Sequence, residues 1–182
     1  MKNKTEYELD SSYIRRCHKV LQEWGAPLSG WYCDYVYDVD DGDDEADSDE
    51  LFTCELCRCQ KVRYVHVMRH EEYFESLEVG CVCAGIMEGN ILAAKERDRQ
   101  LKNRAERKRH FPERRWFKNY TGNLQLDYKG TRIYINRKAD GHFSVYVKGQ
   151  ILTCYHGRFL TNFDMAAYAA FDVVDPAEDI TA

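Results

Sequence analysis

Apolar residues recur at helical spacing over residues 12–24, where Tyr13, Cys17, Val20, Leu21 and Trp24 fall three and four apart on one face. Ser11 or Ser12 is placed to cap this helix, and Gly25 followed by Pro27 to end it. Residues 31–37 (WYCDYVY) read as a short aromatic strand. Val62, Tyr64, His66 and Met68 alternate with Arg63, Val65 and Val67, a strand pattern, and Leu77 to Val79 predict a second short strand leading into Gly80. Residues 90–110 predict a long helix with Asn90 as N-cap, no Gly or Pro inside, and Pro112 just beyond its end. Its apolar seam is thin: Ile91, Ala94, Leu101 and Ala105, interrupted by Asp98.

Further on, the period returns to two. Leu124, Leu126 and Tyr128 mark one strand, Ile133 and Ile135 another, and Phe143, Val145 and Val147 a third. Ala139-Asp140-Gly141 and Lys148-Gly149 supply turns. A closing helix presents Phe163, Ala166, Ala167, Ala170, Phe171 and Val174 on one face; Thr161 with Asp164 resembles a capping box, and Asp175-Pro176 breaks the helix. The fold class is therefore α+β: an N-terminal helix, a two-stranded ribbon, a long basic helix, then a small antiparallel sheet packed by one helix. The expected segments are 1–37 (helix and strand), 38–50 (acidic linker), 51–89 (ribbon), 90–111 (basic helix), 112–175 (sheet plus helix) and 176–182 (tail).

Charge changes this picture because it is segregated. The 182 residues carry a net charge of −5, yet residues 38–50 hold nine acidic side chains in thirteen positions and no basic one. Residues 91–160 hold 17 Lys and Arg against 6 Asp and Glu. The acidic tract repels itself and buries nothing, so it reads as a solvated spacer, with mimicry of an anionic ligand on the protein's own basic surface as the sharper alternative. No run of 18 apolar residues is present and the N-terminus MKNKTEYELD lacks an apolar core. A membrane partner and a secretory signal are not expected, and a cytoplasmic, reducing compartment is.

In such a compartment eight Cys point to metal or free thiols before disulfides. Cys54-Glu-Leu-Cys57 and Cys81-Val-Cys83 are separated by a 23-residue gap that holds the two strands. Two thiolate pairs at the ends of antiparallel strands predict a structural Zn²⁺ site on Cys54, Cys57, Cys81 and Cys83, with no open position for substrate water. Cys59 is a spare thiol, and His66 and His70 share one strand face; whether any of these joins the site stays open. Cys17, Cys33 and Cys154 fit buried small hydrophobes. On the long helix Lys95, Arg97, Arg99, Lys102, Arg104, Arg107, Lys108 and Arg109 outnumber the acids eight to three over residues 95–109. An anionic partner, DNA or RNA, is expected there, set against a solvated helix steadied by Glu-to-Arg pairs. The polar face of the predicted sheet adds Arg132, Tyr134, Asn136, His142 and Tyr146, where Arg suits phosphate or guanine and Tyr offers stacking.

The run CELC, VRYVHVMRH, LEVGCVCAGIMEG and the following Arg/Lys-rich helix resembles a family of small uncharacterised bacterial and phage zinc-ribbon proteins, over roughly residues 51–174. That resemblance implies Cys54, Cys57, Cys81 and Cys83 as the metal set and implies no chemistry. YINRKADGHFSVYV followed by FLTNFDMAAYAAFDVV is similar to the sheet-plus-helix DNA-binding domains of the AP2 and integrase arm-binding type, interrupted here by the long CYHGRFL segment. This similarity implies a sheet face entering the major groove, with contacts on Arg132, Tyr134 and Tyr146.

The leading expectation is a zinc-stabilised nucleic-acid-binding accessory or regulatory protein, encoded on a phage or other mobile element and not a catalyst. An alternative is a protein-interaction adaptor, with the acidic tract docking a basic partner. A metal-dependent nuclease using His66 or His70 is the third; the following helix offers Asp98 and Asn103 but no His before His110.

Overall fold

The computed structural model describes residues 10–40 and 51–180, which form two compact units: the first holds the described residues up to Asn103 together with Ile180, and the second comprises residues 104–179. Most of the acidic tract, residues 41–50, lies outside the described residues, as do residues 1–9 and the last two. No helix among the described residues is long and apolar enough to cross a membrane.

In the first unit α1 (Ser11–Glu23) is capped by Asp10, whose carboxylate accepts from the Ser12 N–H at 2.9 Å, so the cap falls earlier than the expected serines. Three strands follow: β1 (Tyr32–Asp38), β2 (Tyr64–His70) and β3 (Tyr73–Val79), paired antiparallel in that order. Val36, His66 and Val79 stand in register across the three. Leu21, Trp31, Val65, Met68, Val79 and Met87 are buried in one core. Strand β3 starts four residues before the expected Leu77, because the hairpin tip is exposed and polar and so carries no alternation.

The departure from expectation comes after Val79. Gly80 caps a helix, α2 (Cys81–Glu88), that the sequence reading merged into the ribbon. Residues Cys83 to Met87 are all buried, so CVCAGIME is apolar almost all round and has no amphipathic period to betray it. A Cβ on Gly85 would stand 2.7 Å from the Ile91 Cα, so a glycine here lets α2 lie against the start of the next helix. That helix, α3 (Ile91–Arg109), is capped by the Asn90 side chain accepting from the Ala93 N–H, as its sequence predicts.

The second unit contains a five-stranded antiparallel meander, β4 (Phe117–Lys118), β5 (Leu124–Tyr128), β6 (Thr131–Arg137), β7 (Phe143–Val147) and β8 (Gln150–Leu152). A small hairpin of β9 (Cys154–Tyr155) and β10 (Arg158–Phe159) precedes α4 (Phe163–Val174). Asn162, not Thr161, caps α4, accepting from the Met165 N–H at 2.8 Å. The alanine face of α4 (Ala166, Ala167, Ala170) is buried with Ile133, Ile135, Val145 and Val147 of the sheet, and Phe111 closes the same core. Small side chains on the helix are what allow this close approach to a sheet of β-branched residues. The architecture is α+β, with a helix at the N-terminus and a sheet with its helix at the C-terminus.

Candidate metal centre and sheet face

Cys54, Cys57 and Cys83 place their Sγ atoms within 4.8 Å of one another, the only group of three or more such ligands gathered this closely among the described residues. Two local features build it. The first is the knuckle turn: Cys54 N–H donates to the Cys59 carbonyl at 2.8 Å, Arg58 N–H to the Cys54 carbonyl at 2.9 Å, and Arg58 takes the left-handed conformation with φ of 62°. The second is the β3-to-α2 junction, where Gly80 N–H donates to Cys54 Sγ at 3.4 Å and Cys83 occupies the first turn of the helix. Cys54 and Cys83 are fully buried, while Cys57 is half-buried.

Hydrogen bonds govern the thiols here. The Cys83 side chain, followed by the N–H groups of Cys57 and Gly80, draws the Cys54 thiol down to about 5 against the cost of burial. A thiol that ionises readily is a ready metal ligand. Three soft sulfur donors, two of them buried, could hold a metal ion.

The expected fourth member, Cys81, is not in this group. On a strand, Cys-x-Cys would put both thiols on one side; on α2 they stand about 200° apart around the axis. Cys81 lines one cleft together with Cys54, Cys57, Cys83 and Asp98, and burial pushes its thiol up to about 11. Cys59 is exposed and also outside the group. Cys17 on α1 is also outside the group, but it is 2% exposed and belongs to the same core as Cys54 and Cys83. A hydrogen bond from Cys83 lowers its thiol. One turn before it, the Tyr13 hydroxyl lies 3.2 Å from Cys83 Sγ. Sequence reading put Cys17 in an ordinary apolar core; its i, i+4 pairing with Tyr13 was visible, but nothing in the linear order ties α1 to residues 54–83. Cys154, also expected to be buried, is exposed on the β9–β10 hairpin, and Cys33 is half-buried.

Neither histidine sits with the thiols. His70 accepts from the Glu72 N–H on Nδ1 and donates from Nε2 to the Ser29 carbonyl, so it is a structural clasp packed on Trp31. His66 is fully buried. Neither of its ring nitrogens meets a partner at hydrogen-bonding geometry. Burial first, then the Arg97 charge, lowers its pKa to about 4.

The basic helix is largely spoken for. Arg104 is 5% exposed; its Nε donates to the Asp175 carbonyl at 2.7 Å and its guanidinium to Asp172 at 2.5 Å. Lys108 is equally buried and reaches Asp172 at 3.0 Å, and Arg107 grips the Asp175 carboxylate at 2.9 Å. These three were expected to contact nucleic acid, and instead they pin α3 to the C-terminal end of α4. Arg97 bridges to Glu88, Arg99 to Glu96 and Arg109 to Glu106. Lys95 is half-buried and Lys102 exposed.

Of the residues expected on the outer sheet face, Arg132, Tyr134 and Tyr146 line one groove, whereas His142 packs on the Phe159 ring. Phe117, Gln125, Tyr134, Tyr146 and Ile151 stand opposite one another across all five strands. The Tyr134 and Tyr146 rings are 6.3 Å apart, and Tyr146 is 48% exposed. Arg132 lies in the same shallow groove, beside Asn119 and a fully exposed Tyr120, and is held by Asp127 at 2.8 Å. Comparison of the chain with protein-family models, curated proteins and solved structures finds no match.

Proposed function

We propose that this is a nucleic-acid-binding protein in which Zn²⁺, held by the cysteine cluster, is structural and the outer face of the five-stranded sheet is the contact surface. The observation that carries the reading is the Phe117–Gln125–Tyr134–Tyr146–Ile151 row. A row of this kind gives bases two adjacent tyrosine rings to stack on, with amides alongside to meet their edges. Around it the second unit is cationic: residues 104–179 hold thirteen Lys and Arg against nine Asp and Glu. Arg115 lies over the Phe117 ring at 5.1 Å, which brings positive charge to the edge of the row. The metal serves the first unit, whose knuckle has too little apolar area to hold itself.

Replacing Tyr146 by Ala tests the surface. Stacking of one base is worth about 1–3 kcal/mol, so affinity for an oligonucleotide falls roughly five- to a hundredfold while the melting temperature holds. Unchanged affinity removes the sheet face from the contact.

A second reading has its own support. Ile151 and Phe159 are 71% and 64% exposed, and apolar groups of that kind suit a protein partner better than a phosphate chain. An adaptor of this type would lose its partner on Ile151→Ser and bind no oligonucleotide at low salt.

A further inference from the structure

The zinc reading leaves the ion one ligand short. Structural zinc sites are closed by four donors, and the cluster of Cys54, Cys57 and Cys83 supplies three. Two thiols compete for the fourth position. Cys81 is nearest in sequence, but the helical turn from Cys83 swings it about 200° away. It lines the same cleft as the cluster, but the charges that act on it, Asp98, Lys95 and Arg97, come from α3. Cys17 comes from α1, is 2% exposed, and shares its core with Cys54 and Cys83. Tyr13, which precedes it by one helical turn on the same face, touches Cys83 Sγ at 3.2 Å.

We propose that Cys17 is the fourth metal ligand, completing a four-sulfur site of Cys17, Cys54, Cys57 and Cys83, with the Tyr13 hydroxyl donating to the Cys83 sulfur. The inference rests on the zinc reading above and goes beyond it. On binding, the ligand thiols give up their protons to solvent and become thiolates, so two positive charges meet up to four negative ones. The excess negative charge is met by N–H and O–H donors already aimed at sulfur: Gly80 N–H at Cys54, Tyr13 O–H at Cys83, and the N-terminal turn of α2 around Cys83. A Cys81 ligand would have the Val82 N–H as its donor but would bring its thiolate toward Asp98. The consequence is structural: the ion joins α1 to the knuckle and to α2, so the N-terminal helix becomes part of the metal-dependent core.

The test uses the full chain, purified reduced and loaded with Zn²⁺. X-ray absorption counts the sulfurs around the ion, and four at about 2.3 Å are expected. In Cys17→Ser the count falls to three and zinc affinity drops by about a hundredfold or more, whereas Cys81→Ser changes neither. If Cys17→Ser does not fold, Cys17→His keeps the position liganded and must show three sulfurs and one nitrogen. Tyr13→Phe keeps four sulfurs and weakens binding by about tenfold. Four sulfurs in Cys17→Ser, or their loss in Cys81→Ser, overturns the assignment while leaving zinc binding itself intact. A wild-type chain that takes up no zinc would instead sink the zinc reading and this inference with it.

Discussion

Arg58 carries the local strain of the metal knuckle. Its φ of 62° lies where a Cβ crowds the following carbonyl, and its N–H still closes the turn on the Cys54 carbonyl. The side chain is exposed, so glycine removes the crowding and gives up only surface contacts. Arg58→Gly should therefore stabilise the folded chain by about 0.5–1 kcal/mol, read as a higher urea midpoint with metal content unchanged. A lower midpoint would mean that the arginine does something the turn geometry does not reveal. His66 makes the second prediction at this scale. Its folded pKa of about 4 lies below its ordinary 6.5, so the unfolded chain takes up the proton first. The stability it contributes is whole above pH 6.5 and is lost as pH falls through 4, roughly 3 kcal/mol in all. Metal loss in acid affects every variant alike. The check is therefore the stability difference between wild type and His66→Phe, flat above pH 6.5 and shifting in favour of the phenylalanine below it. A difference that stays constant down to pH 4 would contradict the buried neutral ring.

Elements show which patterns a linear reading can resolve. Helix α1, strands β5 to β7 and helix α4 were legible because each buries one face and so repeats at 3.6 or 2 residues. Helix α2 was not, since a segment buried all round loses its period, and with it went the correct geometry of Cys81 and Cys83. The cations of α3 were legible as charge but not as partners. Asp172 and Asp175 sit more than sixty residues later in the chain, and no local pattern announces that Arg104 and Lys108 turn inward to meet them. These buried pairs yield a sharp contrast. Asp172→Ala takes the shared carboxylate from Arg104 and Lys108, both nearly buried, and removes the acceptor of the Tyr155 hydroxyl. It should cost about 3–5 kcal/mol, a large shift in urea midpoint. Arg99→Ala breaks only the exposed pair with Glu96 and should leave the midpoint in place. Equal effects from the two would show that the pairs on α4 do not hold the second unit together.

At the scale of the whole molecule, metal and charge have separate places. The thiol cluster lies in the first unit, and the tyrosine row lies in the second, where Lys and Arg exceed Asp and Glu. The two cores are built differently: one gathers Cys, Val and Met around a knuckle, the other packs an alanine helix on a five-stranded sheet. Under the proposed function, zinc removal by a chelator should therefore lower the stability of the first unit while the sheet of the second keeps its fold. With so many of the α3 cations paired internally, phosphate contacts are few, and salt should weaken binding only modestly compared with an open basic helix. The most direct measurement is fluorescence anisotropy of the zinc-loaded full chain with single- and double-stranded DNA and RNA, from low to near-physiological salt. The account predicts saturable binding with a shallow salt dependence, preference for single strands whose bases are free to stack, and loss on Tyr146→Ala. No binding to any of the four at low salt, with zinc confirmed in place, would contradict it.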